Sequence, residues 1–272
     1  MTTIYMLTSQ SKVQMMSFII KNDDHLIVID GGNLCDADFL CTYINSLGGI
    51  VDGWFITHAH SDHIDAIYST LDRHSDEVHV RTIYFNFPSD EFLEKADAEQ
   101  FFRAKRLLGI IAEKNIDIHK VHAGEIFKFG EMTVNVLREP DESITTGDPI
   151  NNSSVVYRVE TAGKSILFLG DLGVDGGRQL LELVPHELLK ADYVQMAHHG
   201  QQGVEKAVYE VVKPDYCFWC TPDWLWENDA GNGYDTHIWK TVVTRGWMSE
   251  IGVKGHYVSK DGTHEVQVGK EN

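Results

Sequence analysis

The chain has 272 residues, 43% of them hydrophobic, enough to bury a sizeable core in one large or two small soluble domains. A formal net charge of −18 with no offsetting basic run repels polyanions, which disfavours non-specific gripping of long nucleic acid. The first residues lack the basic segment, long apolar run and small-residue cleavage site of a signal peptide, and no apolar run could cross a bilayer; a cytoplasmic protein with no membrane partner is expected.

In chain order, "IYML", "MSFIIK" and "LIVIDGG" read as short strands, and helical spacing of apolar residues follows over 37–47, closed by Gly48 and Gly49. "VDGWFIT" is a buried strand, and "SDHIDAIYSTLDRH" starts a helix behind it with Ser61 as the expected N-cap. After the strand "VRTIYFNF", the stretch "DEFLEKADAEQFFRAKRLLGIIAEKN" has the periodicity of one long amphipathic helix. Strands are expected near "IHKVHAG", "EIFKFG" and "MTVNVLRE", then a hairpin in "SSVVYRVETAGKSILFLGD". A helix over 177–189, the strand "ADYVQMAHHG", a helix over 203–212 and the strand "YCFWCT" come next. The chain ends with a helix in "THIWKTVVTRG" and strands near "HYVS" and "EVQVG". Two strand-rich halves, each with helices, predict an α/β sandwich of two mixed sheets packed face to face with helices outside. No Pro/Gly/Ser linker cuts the chain, so one domain over 1–272 is expected.

Cys35, Cys41, Cys217 and Cys220 are too few to scaffold this length. Cys217 and Cys220 have CxxC spacing, but inside an apolar strand-like run they read as buried free thiols.

The chemistry concentrates in "THAHSDHID" at 57–65. His58 and His60 are two apart on an extended segment, so both rings point to one side, toward one cation. Asp62 and His63 follow at the turn into a helix and can face a second cation. Imidazole with carboxylate suits zinc, with manganese and iron as competitors.

The motif His58-x-His60-x-Asp62-His63 resembles the signature of the metallo-β-lactamase superfamily, whose fold is an αββα sandwich holding two metal ions at one sheet edge. "LIVIDGG" resembles that family's early strand, with Asp30 orienting a ligand histidine or the loop. "ILFLGD" resembles its later motif; the likeness implies that Asp171 bridges both metals and that Gly170 lets the backbone approach closely. "VQMAHHG" resembles the segment that supplies the last ligand; matched on the following glycine the likeness implies His199, with His198 behind the ligands or facing the substrate, and the reverse assignment of the two histidines stays open.

One departure matters. Most family members carry another histidine before the hairpin, where this chain has Asn151-Asn152-Ser153-Ser154. The His58/His60 metal is then left with Asp171 and at most the amide oxygen of Asn152, and is expected to be the more loosely held. The asparagine-serine stretch, "AHHG" and the later Asn232-Gly233-Tyr234-x-x-His237 resemble the branch that contains the hydrolase domain of the competence protein ComEC and the phosphorylcholine esterases. By that likeness Tyr234 lies near substrate and His237 touches phosphate.

The resemblance implies a metal-dependent hydrolase that cleaves a small phosphodiester or phosphoester with a hydroxide held by a dinuclear centre. Asp62 would orient that hydroxide, and His198 or His237 would bind a phosphate oxygen or protonate the leaving alkoxide. Trp224 and Trp226, in a loop bounded by Pro222 and Gly231, are candidate walls for a small-molecule substrate, whereas Trp219 reads as core. A ComEC-like nuclease, a carboxylic ester or lactone hydrolase, and a degenerate non-catalytic binding protein are the alternatives.

Overall fold

The computed structural model describes residues 1–269. The strands obey a strict two-residue period that sorts their side chains between two packing layers. Ile4, Phe18, Ile20, Ile27, Ile29 and Phe55 face inward to a core between two sheets, while Ile19, Leu26, Val28 and Trp54 face outward to helices. On the opposite sheet Val134, Val136, Ile166, Phe168 and Phe218 face the same central core, and Leu167, Cys217 and Trp219 face the second helical layer.

Each large sheet has seven strands. The first runs in the spatial order His264–Val268, Thr2–Met6, Phe18–Asn22, His25–Ile29, Gly53–Phe55, Thr82–Phe85, Asp117–Lys120. The second runs Gly255–Val258, Tyr216–Trp219, Tyr193–Gln195, Lys164–Phe168, Val156–Thr161, Met132–Arg138, Ile126–Phe129. Phe18 joins the sheets by edge-on contact with Phe168 (5.1 Å) and Phe218 (5.5 Å). Helices Ala37–Ser46, Ser61–Arg73 and Ala98–Glu113 cover the first sheet; Val174–Leu183, Lys206–Val212 and Thr241–Ile251 cover the second. The result is the expected αββα sandwich.

Four local expectations change. The long helix over 90–115 is two, Asp90–Ala96 and Ala98–Glu113, because Asp97 is extended (φ −158°, ψ 108°) and its carboxylate caps the second by accepting from Glu99 and Gln100 N–H. The stretch over 177–189 is likewise Val174–Leu183 and His186–Leu189, parted by Pro185, which cannot continue a helix. Ser61 is the first helical residue and not the cap: His60 holds the N-cap position, and the Ser61 N–H donates to Gln100 Oε1. The final helix begins at Thr241, so His237 precedes it in irregular backbone.

Cys217 and Cys220 are buried and free, facing different cores, and burial pushes both thiols upward. No helix among the described residues is long and apolar enough to cross a membrane.

Candidate metal centre

Three strands deliver the site from their C-terminal ends: Gly53–Phe55 leads to 57–63, Lys164–Phe168 to Asp171, and Tyr193–Gln195 to His199. The chain turns through the left-handed region after the last two of these strands, at Gly170 (φ 56°), His198 (52°) and His199 (56°), and after the neighbouring strand His25–Ile29, at Asp30 (53°). For non-glycine residues that conformation costs energy and persists only where the surroundings impose it. Here the His198 N–H donates to Gly170 O, and Thr221 Oγ1 donates to His199 O. Gly170 has no alternative. A Cβ there would lie 2.8 Å from Ser154 Oγ and 2.9 Å from Thr57 Cβ, and that same Ser154 hydroxyl accepts the Asp171 N–H.

The side chains fall into two groups that share Asp171: His58, His60 and Asp171, and Asp62, His63, Asp171 and His199, with the donor atoms of each group within 4.8 Å of one another. His63 Nε2 lies 3.3 Å from Asp171 Oδ1; His199 Nε2 lies 3.3 Å from Asp171 Oδ2 and 3.0 Å from Asp62 Oδ2. His58 Nε2 is 4.0 Å from Asp171 Oδ2 and 3.1 Å from His60 Nδ1. The opposite ring nitrogens are anchored. His63 Nδ1 donates to Asp30 Oδ2 (2.7 Å), His199 Nδ1 to Cys220 O (2.9 Å), and His58 Nδ1 lies 3.0 Å from Thr57 Oγ1. Such anchoring fixes the tautomer and turns each Nε2 lone pair toward a cation.

Polar atoms buried like these normally find partners. Yet His63 Nε2, Asp171 Oδ1 and His199 Nε2 have no partner in hydrogen-bonding geometry. Burial disfavours charge on His63, but Asp171, Asp30 and Asp62 together hold its imidazole well above the usual histidine range. Burial likewise opposes charge on His199, and Asp171 and Asp62 raise it to about 9. Burial alone would raise the carboxyls; His199 and His63 hold Asp171 well below its usual value, and His63 and His199 do the same for Asp62. His58 goes the other way, pushed well down by burial and by His63. Three converging carboxylates therefore demand positive charge, which protons or cations can supply. Buried imidazole and carboxylate donors in two groups with a common carboxylate fit a pair of divalent cations.

The remaining expected site residues separate. His198 is outside both donor groups, on the wall of an adjoining cavity of about 590 Å³. The Asn152 amide is committed elsewhere: its Oδ1 accepts from Gly176 N–H and its Nδ2 donates to Asp148 O, so it is not turned to His58 and His60. Trp226 is half-buried, packing edge-on against Trp219 (5.3 Å) with the Arg245 guanidinium over its ring. Trp224 lines a separate cleft of about 400 Å³, with its indole N–H donated to Lys12 O. The Tyr234 hydroxyl accepts from Arg245, and His237 stacks 3.7 Å from Trp239; no contact among the described residues joins either to the metal ligands.

Three neighbours had no signal in the motif spacing. Gln14 Nε2 donates to Asp62 Oδ2, Asp148 Oδ1 lies 3.9 Å from His60 Nε2, and Asn151 Nδ2 donates to His198 Nε2. Only "DPINN" could have hinted at two of them, as a capping aspartate followed by proline at a helix start.

Comparison with known proteins agrees with this fold. ComE operon protein 3 of Bacillus subtilis is 28% identical over 155 residues, covering 56% of this chain; the chain spans only 17% of that protein's length. Among solved structures, CmlA, a diiron β-hydroxylase from Streptomyces venezuelae, superposes with a TM-score of 0.63 at 13% identity, over 98% of this chain and 54% of that one. The metallo-β-lactamase fold protein YhfI from Bacillus subtilis gives 0.61 at 11% identity, over 98% and 100% of the two chains. The model of the beta-lactamase superfamily domain matches residues 48–211, more than half of the chain. The chain belongs to the beta-lactamase superfamily of hydrolases and carries the metallo-β-lactamase fold.

Proposed function

We propose that this protein is a metal-dependent hydrolase of a small phosphodiester or phosphoester. The observation that carries the reading is the pair of donor groups sharing Asp171, with three buried ligand atoms left unpartnered. His58, His60 and Asp171 would hold one cation; Asp62, His63, Asp171 and His199 the other. When bound, two such cations lower the pKa of a shared water and neutralise phosphate oxygens. Zinc is the proposed metal, with manganese or iron as substitutes, since imidazole and carboxylate accept all three.

The chain's own residues supply the rest. Asp62 and Asp171 accept hydrogen bonds from the attacking water and hold its lone pair toward phosphorus. His198 lines the 590 Å³ cavity, and its Nε2, once protonated and released from Asn151, would hold a phosphate oxygen or pass a proton to the leaving alkoxide. A small substrate fits that cavity. Long nucleic acid is opposed by the net charge of −18. The free cysteines support a reducing, cytoplasmic setting.

The match to ComE operon protein 3 favours one second reading, cleavage of single-stranded nucleic acid. Chelator-treated protein resupplied with Zn²⁺ or Mn²⁺ and given bis(4-nitrophenyl) phosphate, a lactone and single-stranded DNA distinguishes the two. The proposal expects turnover of the phosphodiester alone. Lactone turnover alone, or no turnover with either metal, overturns it, and preferential DNA cleavage promotes the second reading.

A further inference from the structure

A second set of metal-binding side chains shares no residue with the donor groups around Asp171. Cys41, His74 and Glu77 each bring a donor atom within 4.8 Å of the other two. Local structure explains how. Cys41 lies on the buried face of helix Ala37–Ser46 with Leu40 and Ile44, and His74 ends helix Ser61–Arg73. The N–H groups of Glu77 and Val78 both donate to His74 O, a tight turn that returns Glu77 beside the imidazole.

His74 Nδ1 lies 3.1 Å from Glu77 Oε1, near the spacing of two ligands on one tetrahedral ion, and Nε2 lies 2.9 Å from Asp38 Oδ1. Asp38 thus holds the ring from its far side, the place a carboxylate takes behind a metal-bound imidazole. Arg73 Nη2, 3.1 Å from the same oxygen, keeps that carboxylate in place. Cys41 is the independent observation. It is 2% exposed and free, its thiol makes no hydrogen bond, and yet its sulfur lies within reach of an imidazole and a carboxylate. A thiol buried only for packing gains nothing from a carboxylate beside it, whereas a cation makes all three groups attractive neighbours.

We propose that Cys41 Sγ, His74 Nδ1 and Glu77 form a separate metal site that takes a zinc ion. The thiolate and the carboxylate neutralise a divalent charge, the neutral imidazole is the third ligand, and water completes the tetrahedron. Binding releases the thiol proton and any proton on Nδ1, while the Nε2–H stays donated to Asp38. A sulfur ligand selects zinc over magnesium or manganese. The donors close to about 3.5 Å on binding, a shift that the His74–Glu77 turn at the surface can supply. The ion pins helix Ala37–Ser46 to the far end of the helix whose first turn carries Asp62 and His63. It is additional to the two cations that share Asp171.

The test uses full-length, chelator-treated protein kept reduced by a phosphine, with Co²⁺ as the probe. A Co²⁺–thiolate bond gives a near-ultraviolet charge-transfer band that imidazole and carboxylate ligands do not, and the groups around Asp171 contain no sulfur. The expected result is such a band in the unaltered protein, displaced by Zn²⁺, retained in Asp171→Ala and lost in Cys41→Ser. No band in the unaltered protein, one that Zn²⁺ does not displace, one that survives in Cys41→Ser, or one lost in Asp171→Ala overturns the inference. If Cys41→Ser fails to fold, His74→Ala takes its place: the Co²⁺ affinity read from the band falls by more than about tenfold, and an unchanged affinity overturns the inference. The band is read without turnover, so its absence leaves the hydrolase reading untouched. Cys41→Ser protein is where the two ions on Asp171 are counted alone.

Discussion

At the scale of single residues, the centre depends on groups that never need touch a cation. Asp30 is fully buried and takes three hydrogen bonds, from His63 Nδ1, Thr57 N–H and Thr57 Oγ1. Asp30→Asn keeps the shape but weakens the hold on His63, and chelator competition should show metal affinity lower by about 10–100-fold. Gly170→Ala places a Cβ against Ser154 and Thr57 at φ +56°, and urea unfolding should show a loss of about 1–3 kcal/mol. The candidate ligand residues that the fold brings together were legible in the sequence because their spacing is local and chemical: His58, His60, Asp62 and His63 fall within six residues. Asn151 was not legible. Neighbouring asparagines look alike in a string, and only the turn at Pro149–Asn152 decides that the Asn151 amide meets His198 while the Asn152 amide meets Gly176 and Asp148.

At the scale of elements, strand periodicity was readable wherever one face meets the central core, as in "LIVI" and in "KSILF" along Lys164–Phe168. Breaks inside helical patterns were harder. Asp97 interrupts a continuous apolar stripe without proline or glycine, and a capping aspartate reads as an ordinary exposed helical residue until its neighbours' N–H groups are located. The expected loop between Pro222 and Gly231 opens instead with a short helix, Asp223–Trp226, whose last residue packs half-buried beside Trp219. One element-level link responds to pH. Asp192 accepts from Ser165 N–H, Ser165 Oγ and Lys164 Nζ, tying the hairpin strand Lys164–Phe168 to the strand that carries the His199 loop. Burial alone would raise its carboxyl, but these partners hold it below 3.8. Its contribution is therefore fully present above the unfolded value and lost as pH falls through the lower folded value. Asp192→Asn should cost roughly 1 kcal/mol at neutral pH and flatten the stability profile between about pH 4 and pH 2, measured by urea unfolding across that range.

At the scale of the whole molecule, two sheets meet through a continuous apolar layer and the candidate metal ligands emerge at the ends of strands from both. Phe18 bridges that layer to Phe168 and Phe218. Phe18→Ala should cost about 3–5 kcal/mol by chemical denaturation, and it should loosen the relation of Asp171 to the His58–His63 segment as well. The sandwich itself was legible because both halves repeat the same alternation of buried strands and amphipathic helices. The distal aromatic cluster of Trp224, Trp239 and His237 was not, since its position depends on how the irregular stretch before Thr241 folds back.

The central claim is that two cations share Asp171, one held by four protein ligands and the other by three. Stepwise addition of Zn²⁺ or Mn²⁺ to chelator-treated protein, following bound metal and bis(4-nitrophenyl) phosphate turnover together, tests it most directly. The account predicts binding in two steps of different affinity with turnover reaching its maximum at two equivalents, and loss of both in Asp171→Ala. A single equivalent at saturation, or turnover that persists without metal or in Asp171→Ala, would contradict it.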